Sequence, residues 1–473
     1  MRHNKKTGTA YYILLLLTFQ SFYISGQSLF ESALNDSPDA AGGTSYLHSE
    51  IRSFSYTGYD TETDRPVLQA LYGQFNLVAD VPAGSFGQAY AEIRFRSGTE
   101  YGQRIQEISL REAWVLIYLG SLELSVGKQI HNWGASTFVN PSDRFSPMNP
   151  VLRSPDPDDL RLGVWTMKVD LAITSTSSLE LMWMPDYRPS VLLTEPFDLP
   201  QYIRMPPYPD HQLVFSDGGF GVRYDLRSSV LDMQLSWFNG FRNNPALAID
   251  TAVFDQSTFA PELIRIKQEP VRINSLGFNL TVPLERSLVR TEIGWTDPVN
   301  DSVTGGMLHE LGYTLEIEQS RENVSVIAGY YGKYIHNFRP VDTDPSLLAG
   351  ELPELSGLFP PGSAPDLQVL QDYFRTQVNG FNRIYDYQQQ KFMHAAYVIL
   401  DLKFFNNMVG FEIPCMYNFT AKELTLMPSV EFSFTDGLSG RMGAYYLCGE
   451  DKSLFDLVSS SMNALFLGLE MKF

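Results

Sequence analysis

The feature that most constrains this chain is a two-residue alternation of apolar and polar side chains, repeated segment after segment from residue 43 to the end. Period-two alternation marks a strand with one oily face. In FGQAYAEIRFRSG, 86–98, Ala89, Ala91, Ile93 and Phe95 face one way, and Gln88, Tyr90, Glu92, Arg94 and Arg96 the other. Eighteen such segments can be marked: 43–58, 66–81, 86–98, 106–120, 122–130, 160–174, 177–185, 218–226, 229–240, 271–284, 286–295, 307–318, 323–335, 391–404, 408–419, 423–434, 440–448 and 462–473. Most have the length of a tilted strand that crosses a bilayer, about 9–11 residues.

The gaps between segments carry independent information. Those after the fifth, seventh, ninth and thirteenth segments run to about 29, 32, 30 and 55 residues, and those after most even-numbered segments to only a few, such as RSS, ER and QSRE. Transmembrane barrels have short turns at one edge and long loops at the other. A soluble sandwich has no reason to obey that parity. The expected fold is therefore all-β: one transmembrane antiparallel β-barrel over 43–473, with long extracellular loops and short periplasmic turns. It has 18 strands, or 16 if segment boundaries have been misplaced. An even count puts both termini at the short-turn edge.

Both ends of the chain agree with an outer-membrane location. Arg2, Lys5 and Lys6 precede the apolar run Tyr11 to Leu17, and Ser25 and Gly26 follow it. This reads as a signal peptide over 1–26, followed by a short polar periplasmic lead, 27–42. The run is too short to span a membrane as a helix. At the other end, NALFLGLEMKF places Leu465, Leu467, Leu469, Met471 and Phe473 on one face. Ala464, Gly468, Glu470 and Lys472 occupy the other, with Phe466 as its only large apolar residue. That pattern resembles the C-terminal signal read by the barrel-assembly machinery. The resemblance implies this machinery and outer-membrane lipid as partners.

Composition excludes several classes. The formal net charge is −19, and removal of residues 1–26 takes away three basic and no acidic residues, leaving −22. That argues against nucleic acid. It also favours cations over anions in the lumen or loops. Cys415 and Cys448 fall on strands with one other between them, too distant to pair. The sequence has no Cys/His cluster with zinc-ligand spacing and no cofactor motif. It has no Gly-x-Ser-x-Gly elbow for a hydrolase either, so no enzyme is expected. The lead is far shorter than the plug domain of an energised transporter.

The most distinctive stretch is LELSVGKQIHNWGASTFVNPSDRFSPMNP, 122–150. Its Gly127, Lys128 and Gln129, then Trp133 and Gly134, then Asn140, Pro141, Asp143, Pro147, Asn149 and Pro150 resemble a pattern of porin-like outer-membrane families, including alginate-export-type channels. There the basic position is commonly Arg, and Lys here weakens any bidentate anion contact. The resemblance covers about 40 residues and implies a channel.

Prolines 141, 147, 150, 155 and 157 lower the entropy lost when the loop orders, and Trp133, Phe138 and Phe145 give it apolar anchors. A loop over 131–159 folded into the barrel mouth is expected, the alternative being an external cap. Its candidate constriction residues are His131, Trp133, Asp143, Arg144, Arg153, Asp156, Asp159 and Arg161. Their mixed signs would suit polar or zwitterionic solutes; the alternative is a solvated charge cluster. Candidate pore-lining residues are Glu92, Arg94, Arg96, Arg223, Arg290 and Glu292, which either form charge rings or pair across a wet interior. Leu367, Leu370 and Phe374 have helical spacing within 364–377, predicting a short helix packed on its own loop. The expected function is passive diffusion of small polar solutes, from a monomer or homo-oligomer. The alternative is an adhesin or structural surface barrel.

Overall fold

The computed structural model describes residues 46–60, 64–143, 145–192, 200–208, 218–255, 260–299, 306–340, 366–451 and 453–473. The predicted signal peptide, the lead to residue 42 and Arg144 lie outside the described residues.

Among the described residues, 18 antiparallel strands close into a ring. They are β1 (Tyr46–Asp60), β2 (Arg65–Pro82), β3 (Gly87–Glu100), β4 (Gln103–Leu119), β5 (Leu122–Gln129), β6 (Val164–Thr174), β7 (Ser177–Met184), β8 (Gly219–Arg227) and β9 (Asp232–Phe241), followed by β10 (Arg272–Leu284), β11 (Ser287–Pro298), β12 (Glu310–Arg321), β13 (Val324–Ile335), β14 (Phe392–Phe404), β15 (Val409–Asn418), β16, β17 (Leu438–Cys448) and β18 (Ala464–Lys472). Strand β16 has two pieces, Glu423–Leu426 and Ser429–Thr435, between the same two neighbours. Pro428 lies in the gap, where it cannot donate to a ladder. Counting the pieces as one strand gives 18, and the 16-strand alternative falls away.

The ring closes where β1 pairs with β18, from Glu50↔Lys472 to Thr57↔Leu465. Phe473 completes the seam: its N–H donates to Ser49 O at 3.0 Å, and its carbonyl accepts from Ser49 N at 2.9 Å. The side chains of Leu465, Leu467, Leu469 and Phe473 lie exposed on the outer wall. Val115, Ile117, Trp165, Leu181, Trp237, Leu315 and Ile317 do the same on other strands. Such a belt is a liability in water and the required surface in a bilayer. No described helix is long and apolar enough to cross a membrane; this barrel crosses with strands.

The inner face is polar, and much of it is buried. A bulge in β4 matters to the site. Glu92 pairs with Glu112 and Ile93 with Leu110, which leaves Arg111 as the extra residue. The bulge re-aims that side chain into the barrel.

Long connections emerge after β5, β7, β9 and β13, as the gaps predict, while the turns after β3 and β15 are short. A hairpin that the gap analysis passed over, Ala246–Phe254 with Pro261–Glu269, joins Ile203–Arg204 in a small separate sheet. Helix α1 (Leu367–Tyr385) buries Leu370, Phe374 and Val378 against Leu247, Phe254, Ile264 and Ile266 of that sheet. The predicted helix is therefore real but longer, and it packs on the β9 loop. Leu367 points to solvent. Arg242 at the β9 edge grips Asp386 through two bonds of 2.7 and 2.8 Å, fixing the cap to the wall. A second helix, α2 (Leu454–Met462), leads into β18. Cys415 and Cys448 are free, with β16 between their strands.

Candidate functional site: a loop seated across the lumen

The chain leaves β5 through the Gly-Lys-Gln segment. Gly127 has φ +145°, and a Cβ there would strike the Ala113 carbonyl. Residues 131–147 then form a first lobe. Trp133 packs on Phe145 at a tilt of 51°, with centroids 3.9 Å apart, and Phe145 meets Phe238 of β9 edge-on at 4.9 Å. A side chain at position 134 would collide with Asn140, which gives the Trp-Gly-to-Asn spacing a packing reason. His131 is buried, with Nε2 3.0 Å from Thr166 Oγ1 and its backbone bonded to Ser146 Oγ. Burial, with Lys168 and Arg223 nearby, pushes its imidazole down to about 3.

The wall is shaped to receive this lobe. Glu292 on β11 accepts bonds from the backbone N–H groups of Ala135, Ser136 and Ser142 at 2.9, 3.2 and 2.7 Å. Glu316 on β12 accepts from Thr137 N and Oγ1, both at 2.9 Å, from Tyr397 Oη at 2.9 Å and from Arg290 at 2.5 Å. Trp133 Nε1 donates to Glu180 on β7 at 2.9 Å. Where loop and wall approach most closely, the wall has glycine. A Cβ at Gly294 or Gly312 would meet Pro141, one at Gly277 would meet Ser142, and one at Gly221 would meet Trp133.

Residues 148–163 form a second lobe on a different wall. Asp159 is buried among arginines from three strands: Arg94 at 2.6 Å, Arg52 at 2.7 Å and Arg111 at 3.5 Å. Burial alone would raise this carboxyl, but Arg94 and Arg52 outweigh it and hold Asp159 below its usual range. Arg153 enters a pocket at the barrel seam. Its guanidinium lies 5.5–5.7 Å from the rings of Tyr56, Tyr101 and Tyr445 and donates to the Met462 carbonyl at 2.9 Å and to Gln69. Tyr72 Oη closes on the Arg153 carbonyl at 2.5 Å. Asp156 caps a single 3₁₀ turn, accepting from Asp158 N at 3.0 Å.

The two lobes share a neck. Asn149 N donates to Leu160 O, and Leu162 N to Pro147 O, each at 2.7 Å. Arg161 pairs with Asp143 at 2.9 Å. The first lobe rests on β6–β12 and β14, and the second on β1–β4 and β17. Strands β2 and β11 are half-way round the ring from one another, so this segment reaches both sides of the lumen.

The remaining predicted residues are engaged in pairs. Arg96 meets Glu100 at 2.7 Å and lies over Tyr72, and Glu92 accepts from Arg111 at 3.1 Å. Arg223 bridges Asp225 at 2.8 Å and Glu180 at 3.1 Å beneath Trp133. Arg290 joins Glu316 to Glu318, both at 2.5 Å. Sequence reading missed Arg52, Arg111 and the glycine seat. The carboxylate-rich run 156–159 was the only local hint of a basic wall.

Residues 55–343 match the model of a family described as "Protein of unknown function (DUF1302)". The chain belongs to that family. No curated protein matches this DUF1302 chain. Solved barrels share its fold. Acinetobacter baumannii OccAB3 superposes with a TM-score of 0.52 at 10% identity, covering 91% of this chain and 99% of its own. Pseudomonas aeruginosa OccK3 (OpdO) gives 0.51 at 11%, covering 91% and 95%. Pseudomonas aeruginosa OccK2 (OpdF), solved in complex with glucuronate, gives 0.51 at 9%, covering 92% and 98%. With its closed ring and apolar outer belt, this DUF1302 chain has the fold of those barrels.

Proposed function

We propose that this protein is a passive channel for small polar solutes, with the 131–159 loop as its constriction. The observation that carries this reading is the attachment of one loop to opposite walls of the same lumen. A loop bonded at both sides lies across the lumen and would narrow it. The glucuronate complex of OccK2 (OpdF) supports the solute class, as it is a small polar molecule taken by a barrel of this fold. The cap of α1 and the small sheet gives a surface role some support as the second reading, since it places an ordered body with its own core at the loop edge.

The arrangement of charge favours cations. Arg94 and Arg96 are buried in pairs, so they contribute little net field, while Glu431 remains exposed on β16. Assembly through the β18 signal belongs to the same reading, with the assembly machinery as partner.

Conductance in planar bilayers is the test. Defined single-channel steps, with cation preference in low-salt reversal potentials, are expected. Deleting Ala135 to Asp159 is expected to raise conductance severalfold. A folded protein that is silent at high protein-to-lipid ratio would leave the surface reading instead.

A further inference from the structure

The loop meets the wall through polar bonds to β1–β4, β7 and β10–β12, and through aromatic contacts at two places. One is Phe145 on Phe238 of β9, inside a closed apolar cluster. The other is on β14, where Phe138 stacks on Tyr397 at 5.3 Å. Tyr397 faces inward, because its hydroxyl donates to Glu316. The unbroken register then carries the inner face from Tyr397 to Ile399, to Ile327 on β13, and to Pro414 and Met416 on β15. Val398, between Tyr397 and Ile399, is exposed on the outer face as this parity requires.

These inward residues form a continuous apolar strip. Ile327 is paired with Ile399, Ile399 with Pro414, and Tyr397 with Met416. Ile327, Pro414 and Met416 remain partly exposed to the lumen. A water-filled barrel normally presents polar side chains inward. Packing against the loop accounts for Tyr397 under Phe138, but not for three further apolar residues left wet beside it. One ladder step nearer the short turns, the surface changes character. Asp401 sits directly opposite Glu412. Glu412 meets Arg441 at 3.0 Å, Lys403 approaches Asp401 at 3.8 Å, and Glu431 faces Arg441 across the next ladder.

We infer that the permeant is amphipathic. It carries an apolar body about the size of one ring, which lies on the partly exposed side chains of Ile327, Pro414 and Met416 beside the Phe138–Tyr397 stack. Its hydrophilic head is passed on to the charged step at Asp401, Glu412 and Arg441. The inference rests on the channel reading and narrows its solute class. A purely polar solute would gain nothing from this strip, whereas a ring face laid on it leaves water.

The test uses glucose and phenyl β-glucoside, which share a polar head and differ by one ring. Each is titrated against the ion current of the purified protein. Phenyl β-glucoside is expected to reach half-block at about tenfold lower concentration, the effect of removing one ring face from water. In the triple variant Ile327→Ser, Ile399→Ser, Met416→Ser, with open-channel conductance retained, the ratio is expected to fall to about twofold. Should that variant fail to fold by heat-modifiable gel migration, Met416→Gln alone is expected to cut the ratio about threefold. Equal block by both solutes in the unaltered protein, or an unchanged ratio in a folded variant, overturns the inference while leaving a channel. Absence of any current overturns the channel reading itself, and this inference with it.

Discussion

The two lobes of the inserted loop sit in one barrel yet are held by different physics. The first, 131–147, is a matter of shape: Trp133 and Phe145 pack together, Pro141 lies against Gly294 and Gly312, and wall carboxylates accept from loop backbone. The second, 148–163, is a matter of charge: Asp159 among three arginines, and Arg153 among three tyrosines. A loop fastened by one mechanism alone would respond as a unit to salt, pH or mutation. This one is expected to come away in halves, and hydrogen exchange resolved by segment reads the halves separately.

The largest effect is expected from Asp159→Ala. It leaves Arg52, Arg94 and Arg111 buried without their shared carboxylate. Breaking a buried ion pair on one side costs about 3–5 kcal/mol. Exchange over 148–163 should rise by orders of magnitude, with 131–147 nearly unchanged. Equal loosening of both lobes would mean that the charge network supports the whole loop.

Next comes Gly294→Val. A side chain there collides with the Pro141 carbonyl, and overpacking costs about 1–3 kcal/mol. Protection should be lost over 131–147 and kept over 148–163, the reverse of Asp159→Ala. A variant that exchanges like the unaltered protein would remove the seat from the account.

The seat also marks the limit of what could be read from the sequence. Strand number and the long connections after β5, β7, β9 and β13 were legible, because period-two alternation is a local signal repeated many times. The inward face of Arg94, Arg96 and Glu92 followed from the same parity. Arg111 did not, because a bulge shifts the parity at that residue, and a bulge is set by pairing with β3 rather than by β4 itself. Arg52 was unremarkable until Asp159 arrived from more than a hundred residues away. The glycines of β8, β10, β11 and β12 carry no local signal of a seat, because what they make room for lies in another segment. The hairpin 246–269 does alternate, but inside a long gap between barrel strands it was taken as loop. The Gly-Lys-Gln and Trp-Gly residues stand out in the sequence as a family pattern, whereas the contact of Gly134 with Asn140 shows only in the fold.

Acidification separates the lobes more gently. His131 is held neutral down to about 3, whereas an undocked histidine titrates near 6.5. The undocked loop therefore binds the proton more readily. The first lobe has its full hold above about pH 6.5 and loses it as pH falls from there toward 3, by up to roughly 2–3 kcal/mol at pH 4.5. Asp159 is held below its usual value, so its contribution is present above about pH 3.8 and is lost only as pH falls through the lower docked value. Between pH 6.5 and 4.5, exchange corrected for its intrinsic pH dependence should rise over 131–147 alone. His131→Gln should abolish that step. Loosening of 148–163 in the same window would place a different titrating group in the second lobe.

The smallest expected effect concerns the neck, which decides how independent the halves are. Arg161 and Asp143 form its one charged link among the described residues, at 2.9 Å and mostly sheltered from water. The backbone bonds Asn149 to Leu160 and Leu162 to Pro147 remain when that link is cut. A partly exposed pair is worth about 1 kcal/mol or less. Arg161→Gln should therefore leave each lobe docked and change exchange in either by only a fewfold. Its stronger use is in combination. If the lobes are separate, the costs of Asp159→Ala and Gly294→Val add to within about 0.5 kcal/mol. If the neck transmits strain, the double variant departs from that sum, and Arg161→Gln restores additivity. A departure that survives Arg161→Gln would locate the coupling in the backbone bond from Leu162 to Pro147, and the lobes would then be one body held at two places.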